Sequence, residues 1–270
     1  MAKQTLGKLA ADAFGMLDLP ALPRDVLDGY RALPDLTGIV SDAMDELGIV
    51  GAIPFAVLRP TDPKARLVGR ALTVRNIAPG VAVPDKVKAG VSGLGEIEAH
   101  NLAEPGDVLV VQGVDQVSNL GGISATIGRR QGEIGAIVDG GARDVDHSRG
   151  IGYPIWSKSV SPITGKWQVE TAAINKPVAI CGIAVHPGDL VLADETGVCF
   201  VPAACAAEVL QLPEVFPRDR YDDNRRNDQQ AHLQRQIIGQ TGLVLSLRIH
   251  DRSPPCFRGQ TGTASCVVAH

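Results

Sequence analysis

Two short stretches of this 270-residue chain hold the side chains best suited to chemistry. The first runs Asn119-Leu120-Gly121-Gly122-Ile123-Ser124, between an apolar run at 108–111 and a helical stretch at 123–130. A strand-to-helix junction of this kind exposes unpaired N–H groups at the positive end of a helix, and two glycines clear the space for a carboxylate or phosphate to approach them. A helix entry that only needs conformational freedom accounts for the same residues equally well. The second stretch runs Asp139-Gly140-Gly141-Ala142-Arg143-Asp144-Val145-Asp146-His147, directly after the apolar run 134–138. In open α/β folds ligands collect beyond the carboxyl ends of strands, where this loop would lie. An arginine fork binds a carboxylate in bidentate fashion, and an adjacent aspartate can hold a hard divalent cation. The plainer alternative places Asp144 at a helix start and Arg143 in a surface ion pair, and on residue types alone that is the commoner arrangement.

Other chemistries are missing their signatures. There is no GxxxxGK loop followed by Ser or Thr, and Gly90, Gly93 and Gly95 stand in the wrong order for a dinucleotide fingerprint. No HExxH, CxxC or GxSxG occurs, and the six histidines are scattered, which argues against a zinc cage or a serine nucleophile elbow. His147 beside Asp146 is read as a helix-surface histidine, and Lys158 as a solvated lysine rather than a Schiff-base former.

Several elements must position these loops. Residues 37–47 (TGIVSDAMDEL) read as a helix capped by Thr37, with Ile39, Val40, Ala43 and Leu47 on one face. Residues 70–75 (RALTVR) alternate like a half-buried strand, and 86–103 have helical periodicity interrupted by Gly90, Gly93 and Gly95. The segments 104–111 (EPGDVLVV) and 186–193 (HPGDLVLA) resemble each other, each a Pro-Gly-Asp turn feeding a buried strand; turn chemistry suffices to explain them. The run 133–138 reads as a strand covered on both faces, and 154–160 as a further short strand. Together they imply one α/β domain over residues 1–217. The polar segment 218–236 mixes both charge signs with few apolar anchors, so 218–270 is expected to be an arm or partly disordered extension, with one strand at 243–249.

Composition fits this picture. The chain is 44% apolar and 21% charged with a net charge of −4, which describes a globular protein without the clustered positive charge that nucleic-acid binding needs. Glycine and proline supply 48 residues, about 18% of the chain against roughly 12% in average usage, and aromatics only 4%, so the core is aliphatic and the turns are many. Five cysteines, an odd number, point to reduced thiols. No stretch approaches 18 uncharged apolar residues and the first 20 residues lack a signal-peptide core, so the expected location is cytoplasmic, with no membrane contact.

Taken in order, VSDAMDELG (40–48), GRALTV (69–74), PGDVLVV (105–111), the run from Asn119 to Asp146, YPIWSKSVSP (153–162) and VHPGDLVLADETGV (185–198) resemble the RraA-like family. That family includes class II 4-hydroxy-4-methyl-2-oxoglutarate and 4-carboxy-4-hydroxy-2-oxoadipate aldolases and the regulator of ribonuclease E activity. The resemblance covers about residues 36–212. It implies an α/β/β swivelling-type domain assembled as a homotrimer or homohexamer, with sites between subunits. It further implies that the backbone of Gly121, Gly122, Ile123 and Ser124 holds a substrate carboxylate, that Arg143 binds the keto acid and stabilises its enolate, and that Asp144 ligates magnesium or manganese. Asp42, and Asp194 or Glu195, are weaker candidates for acid/base or cross-subunit roles. Thr196 stands where an acidic residue is expected, and the segment after Pro217 has no counterpart.

On that resemblance the expected activity is cleavage of a 4-hydroxy-2-oxo acid to pyruvate, with oxaloacetate decarboxylation open to the same enolate chemistry. The alternative is a regulatory protein that binds and inhibits a ribonuclease. A swivelling phosphohistidine carrier is suggested by fold analogy alone, and the chain lacks a histidine in a glycine-rich acceptor motif.

Overall fold

A computed structural model describes residues 3–212; the extension expected at 218–270 and its strand at 243–249 lie outside the described residues. In chain order the elements are α1 (Arg24–Arg31), α2 (Leu36–Glu46), β1 (Ala52–Pro54), β2 (Arg59–Pro60), β3 (Leu67–Ile77), α3 (Val83–Ala89), α4 (Glu96–Leu102), β4 (Asp107–Gln112), β5 (Ser118–Leu120), α5 (Gly122–Gln131), β6 (Gly135–Ala142), α6 (Val145–Gly150), β7 (Ile155–Val160), β8 (Glu170–Ile174), β9 (Val178–Ile180), β10 (Ile183–Val185), β11 (Leu190–Ala193), β12 (Gly197–Val201) and α7 (Ala206–Gln211). Among the described residues ten strands form one mixed sheet in the order β1-β12-β11-β3-β4-β6-β7-β2, with β5 on β6 and β8 on β3; β9 and β10 form a separate hairpin. Strands β3, β4, β6 and β7 run parallel. Among the described residues no helix is long and apolar enough to cross a membrane.

Side-chain alternation assigns the two faces. Leu72, Val74, Leu109, Val111, Ala136 and Val138 pack with Ala99 and Leu102 of α4 and Ala125 of α5. On the same face, Val68, Leu190, Leu192 and Cys199 pack under α1, α2 and α7. The residues between them, Ala71, Val108, Val110, Ile137 and Val191, pack against Val178, Ile180 and Val185 of the hairpin. The result is three layers, helices on a mixed sheet on a β-hairpin, the α/β/β arrangement the resemblance implies.

That third layer corrects one expectation. Strand β3 is not half-buried: only Arg75 and Ile77 are exposed, because the hairpin covers the face that the alternation assigns to solvent. Its polar residues are paired instead, Arg70 with Asp107, Thr73 through its hydroxyl to the Lys176 carbonyl, and Asn76 with Thr171. The helical stretch at 86–103 is two helices, α3 and α4, broken where Gly90 turns left-handed at φ +68°. Both Pro-Gly-Asp turns form as turn chemistry requires. Gly106 and Gly188 sit at φ +95° and +94°, and Asp107 and Asp189 each accept a hydrogen bond from the amide three residues upstream.

Helix α2 also departs from expectation at its start. Thr37 lies inside the helix, and the cap comes from a distant side chain: the Thr37 amide and hydroxyl donate to the two carboxylate oxygens of Asp194 at 3.0 and 2.6 Å. Burial acts to raise the Asp194 pKa, but these bonds and one from the Thr196 amide outweigh it and hold the carboxyl below its usual range. Because the folded pKa is the lower one, this stabilisation is complete above the ordinary aspartate range, near 4, and is lost as pH falls through the folded value. Asp194→Asn is therefore expected to lower the urea midpoint at pH 6 and to flatten its decline between pH 6 and 3, in a wild-type and mutant denaturation series.

Candidate active site

The two candidate loops leave neighbouring parallel strands at the same level. Leu120 at the end of β5 pairs in register with Ala142 at the end of β6, and the Arg143 amide donates to the Leu120 carbonyl at 3.0 Å. Gly121 is thereby set beside Arg143 and Gly122 beside Asp144. The glycines here serve close approach more than turning. A Cβ on Gly121 would stand 3.1 Å from both Arg143 Nε and Asp144 Oδ2, and one on Gly140 would stand 2.5 Å from the amide nitrogen of Asn119. Asn119 is buried and binds the loop together, accepting from the Val114 amide and donating to the Val114 and Val117 carbonyls.

Asp144 adopts a left-handed conformation, φ +56°, unusual for a residue with a side chain though tolerated by aspartate. It occupies the position before α6 without capping that helix. Its carboxylate crosses to α5 instead, where Oδ2 accepts from the Gly122 amide at 2.8 Å and stands 3.6 Å from Arg143 Nε. The plainer alternative holds in part: Asp144 stands at the start of α6, its carbonyl accepts from the Ser148 amide, and Arg143 forms a half-exposed ion pair with it, but the Asp144 carboxylate caps α5 rather than its own helix. Both side chains stay partly open, with 39% of Arg143 and 48% of Asp144 exposed.

Asp144 opens into a cavity of about 640 Å³ lined by Gly122, Ile123, Thr126, Ile127, Arg130 and His147, with Asp146 at its edge; Arg143 stands beside it over Gly121. The cavity mixes a helix N-terminus, an exposed apolar side chain in Ile123 and two cationic or basic groups. His147, on the surface as expected, contacts the Thr126 hydroxyl through Nε2 at 2.8 Å. Ile123 and Ser124 contribute amides that have no acceptor within α5, since the helical ladder begins with Ala125 donating to Gly121. The Ser124 side chain turns the other way, into the interior.

The remaining candidates are elsewhere. Asp42 is exposed on α2 and lines a separate cavity of about 290 Å³ with Thr37, Ser41 and Thr196. Asp194 is committed to capping α2, and Glu195 is exposed. Lys158 is held as an ammonium by a hydrogen bond to Asp139, which raises its pKa and suits no Schiff-base role. Sequence reasoning missed Arg130 and the side chains behind Ser124. A glutamate opening the apolar run 133–138 was the available signal, since buried carboxylates are seldom unpartnered.

No group of three or more His, Cys, Asp or Glu converges among the described residues. A hard cation nevertheless suits Asp144, whose carboxylate has oxygen lone pairs left after the Gly122 bond and faces an open cavity where waters and a ligand can complete the shell.

Residues 37–200 match a family model described as RraA-like: Aldolase/RraA. A protein of Halalkalibacterium halodurans (strain ATCC BAA-125), provisionally named 4-hydroxy-4-methyl-2-oxoglutarate aldolase, is 28% identical over 75% of this chain and 87% of its own length. The crystal structure of RraAS2 from Streptomyces coelicolor, titled an unusual member of the RNase ES inhibitor RraA protein family, aligns with TM-score 0.61 at 26% identity, covering 77% of this chain and 98% of that one. An uncharacterized protein from Pseudomonas syringae pv. tomato aligns with TM-score 0.58 at 30% identity, over 71% of this chain and 86% of its own.

Proposed function

The chain belongs to the RraA-like family, and on that premise we propose that it is a divalent-metal-dependent carbon–carbon lyase that releases pyruvate from a 4-hydroxy-2-oxo acid such as 4-hydroxy-4-methyl-2-oxoglutarate. The observation that carries this reading is the Asp144 carboxylate reaching across to the Gly122 amide, which joins a cation ligand and an anion-binding helix start in one open cavity. The aldolase name of the Halalkalibacterium relative supports the same class of reaction.

The residues divide the work as follows. The free amides of Ile123 and Ser124 receive the carboxylate of the pyruvoyl group, aided by the helix dipole. Asp144 would hold magnesium or manganese, which when bound supplies Lewis acidity toward the keto oxygen. Arg143 stabilises the negative charge that grows on the C2 oxygen as the bond to C3 breaks, and its guanidinium keeps that charge at any working pH. When the departing group is a carbonyl compound the cleavage is a retro-aldol step; when it is carbon dioxide, oxaloacetate is decarboxylated. The departing fragment lies along Ile123, Ile127 and Arg130. Asp42 lines another cavity, so it can assist only from a second copy of the chain, in a cytoplasmic trimer or hexamer.

Arg130 has no ion-pair or hydrogen-bond partner among the described residues and lines the cavity two turns beyond Gly122. Arg130→Ala is expected to raise KM about tenfold for keto acids with a second carboxylate, the loss of one charge-assisted contact, while leaving the affinity for pyruvate unchanged. Initial rates on oxaloacetate, with pyruvate as competing ligand, check it.

The test of the function is a coupled pyruvate assay over branched and unbranched 4-hydroxy-2-oxo acids and oxaloacetate, with magnesium and with EDTA. Turnover that EDTA abolishes supports the lyase; turnover that ignores EDTA overturns it. The second reading, a regulator that binds a ribonuclease, is favoured by the likeness to RraAS2. It requires inhibition of a ribonuclease that persists in Arg143→Ala, with no pyruvate released by either protein.

A further inference from the structure

Directly behind the anion-binding turn, four polar side chains from separate parts of the chain form one buried run. Ser124 Oγ lies 2.7 Å from His100 Nε2, His100 Nδ1 lies 2.7 Å from Glu133 Oε1, and the Tyr153 hydroxyl donates to Glu133 Oε2 at 2.6 Å. His100, Glu133 and Tyr153 are fully buried and Ser124 is 6% exposed. None of the first three lines the cavity, and the proposed chemistry uses none of them. Burial, then the charge of Glu133, keeps the Tyr153 hydroxyl protonated far above its ordinary range, so toward Glu133 it is the donor. With Tyr153 donating to Glu133, an arrangement that satisfies every group has Ser124 O–H donating to His100 Nε2 and His100 Nδ1–H donating to Glu133.

The run has a consequence for the cavity. Short hydroxyl side chains in the first turn of a helix compete for its free amides, and such self-capping would fill an anion site. Here Gly121, at the cap position, has no side chain, Asp144 takes up only the Gly122 amide, and the Ser124 hydroxyl is held inward by His100. The amides of Ile123 and Ser124 are thus left to a ligand. The helix is shaped around this arrangement as well. Gly128 sits in the interior of α5, where glycine costs roughly 0.5–1 kcal/mol against alanine. A Cβ there would stand 2.3 Å from Glu133 Oε2 and 3.0 Å from the Tyr153 hydroxyl.

We propose that His100, Glu133 and Tyr153 are positioning residues for carboxylate binding: acting through Ser124, they keep the Ile123 and Ser124 amides of α5 open and the turn fixed in orientation. This rests on the lyase reading only in taking the bound anion to be the substrate carboxylate. Two nearly isosteric variants test it, Ser124→Ala and Tyr153→Phe. The probe is oxalate, a planar dicarboxylate with the shape of the pyruvate enolate, titrated calorimetrically in the presence of magnesium. Both variants are expected to weaken the oxalate Kd about five- to tenfold. Half-saturation by magnesium stays unchanged, and in turnover the loss shows as a raised KM with kcat within twofold of wild type. A purely structural role would lower the melting temperature and leave the Kd where it was. A Kd within twofold of wild type in either folded variant overturns the proposal, as does a wild-type protein that fails to bind oxalate. Should one variant not fold, the other decides. Weakened oxalate binding in a protein that turns over no keto acid would leave the positioning role standing and remove the lyase reading instead.

Discussion

Replacing Asp144 with asparagine is expected to reduce metal-dependent pyruvate release by about 10²–10³-fold or more, the loss usual when one charge-stabilising element of a site is removed. Asparagine is the informative change. It tolerates the left-handed backbone at φ +56° nearly as well as aspartate and can still accept from the Gly122 amide, so the loop keeps its shape while the charge that attracts a cation is gone. Asp144→Ala removes the acceptor and also strains the backbone, and it should be at least as inactive and somewhat less stable. The two variants together separate charge from geometry. If both are inactive, Asp144 acts as a cation ligand; if the asparagine variant retains most activity while alanine loses it, the Gly122 bond is the function and the metal assignment fails. Activity measured across magnesium concentrations, with melting temperatures as a check on folding, distinguishes these outcomes.

The largest effect on stability is expected from Asp107→Ala, at about 3–5 kcal/mol. Arg70 and Asp107 are 7% and 2% exposed and meet in a fork, Nε to Oδ1 at 2.8 Å and Nη2 to Oδ2 at 2.9 Å. Arg70 also donates to the carbonyls of Leu19 and Pro20, and Asp107 accepts from the Glu104 amide, so the pair ties the N-terminal segment to the first residue of β4. Alanine at 107 leaves a buried guanidinium with its carbonyl contacts but without its counter-charge. The cost is that of the orphaned charge more than of the lost bond, and a double replacement, Arg70→Met with Asp107→Leu, should recover most of it. Arg70→Lys should not, because an ammonium cannot satisfy the fork. Urea denaturation of the four proteins checks this; a loss below about 1 kcal/mol in Asp107→Ala would contradict it.

Much of the site can be read from the sequence because its parts are local. The separation of 22 residues between Gly121 and Arg143 recurs in the Leu120–Ala142 pair at the end of β5 and β6, and the glycines mark where loop, Arg143 and Asp144 pack without side chains between them. The Pro-Gly-Asp turns and the apolar strands are local in the same sense. What escaped the sequence depends on distant partners. The cap on α2 comes from Asp194, 157 residues from Thr37, a distance that no local pattern spans. The hairpin of β9 and β10 covers a face of β3 that alternation alone leaves open. Ser124 reads in the sequence as part of an anion loop; its amide has no acceptor within α5, but its hydroxyl belongs to a run completed by α4 and by residues flanking β6 and β7. Asp42 shares a short motif with its neighbours, yet folding places it on another cavity.

On the proposed function, this cavity stabilises a pyruvate enolate with the help of a divalent ion. Whatever fragment departs, that enolate must be protonated at C3 before pyruvate leaves, so the same site run backwards must remove a methyl proton from pyruvate. Exchange of the pyruvate methyl protons in D₂O, followed by proton NMR, therefore tests the claim without knowledge of the natural substrate. Exchange is expected to require magnesium or manganese, to stop on addition of EDTA and to be absent in Asp144→Asn; no exchange by the metal-loaded wild-type protein, or exchange indifferent to EDTA, would contradict enolate stabilisation at this site.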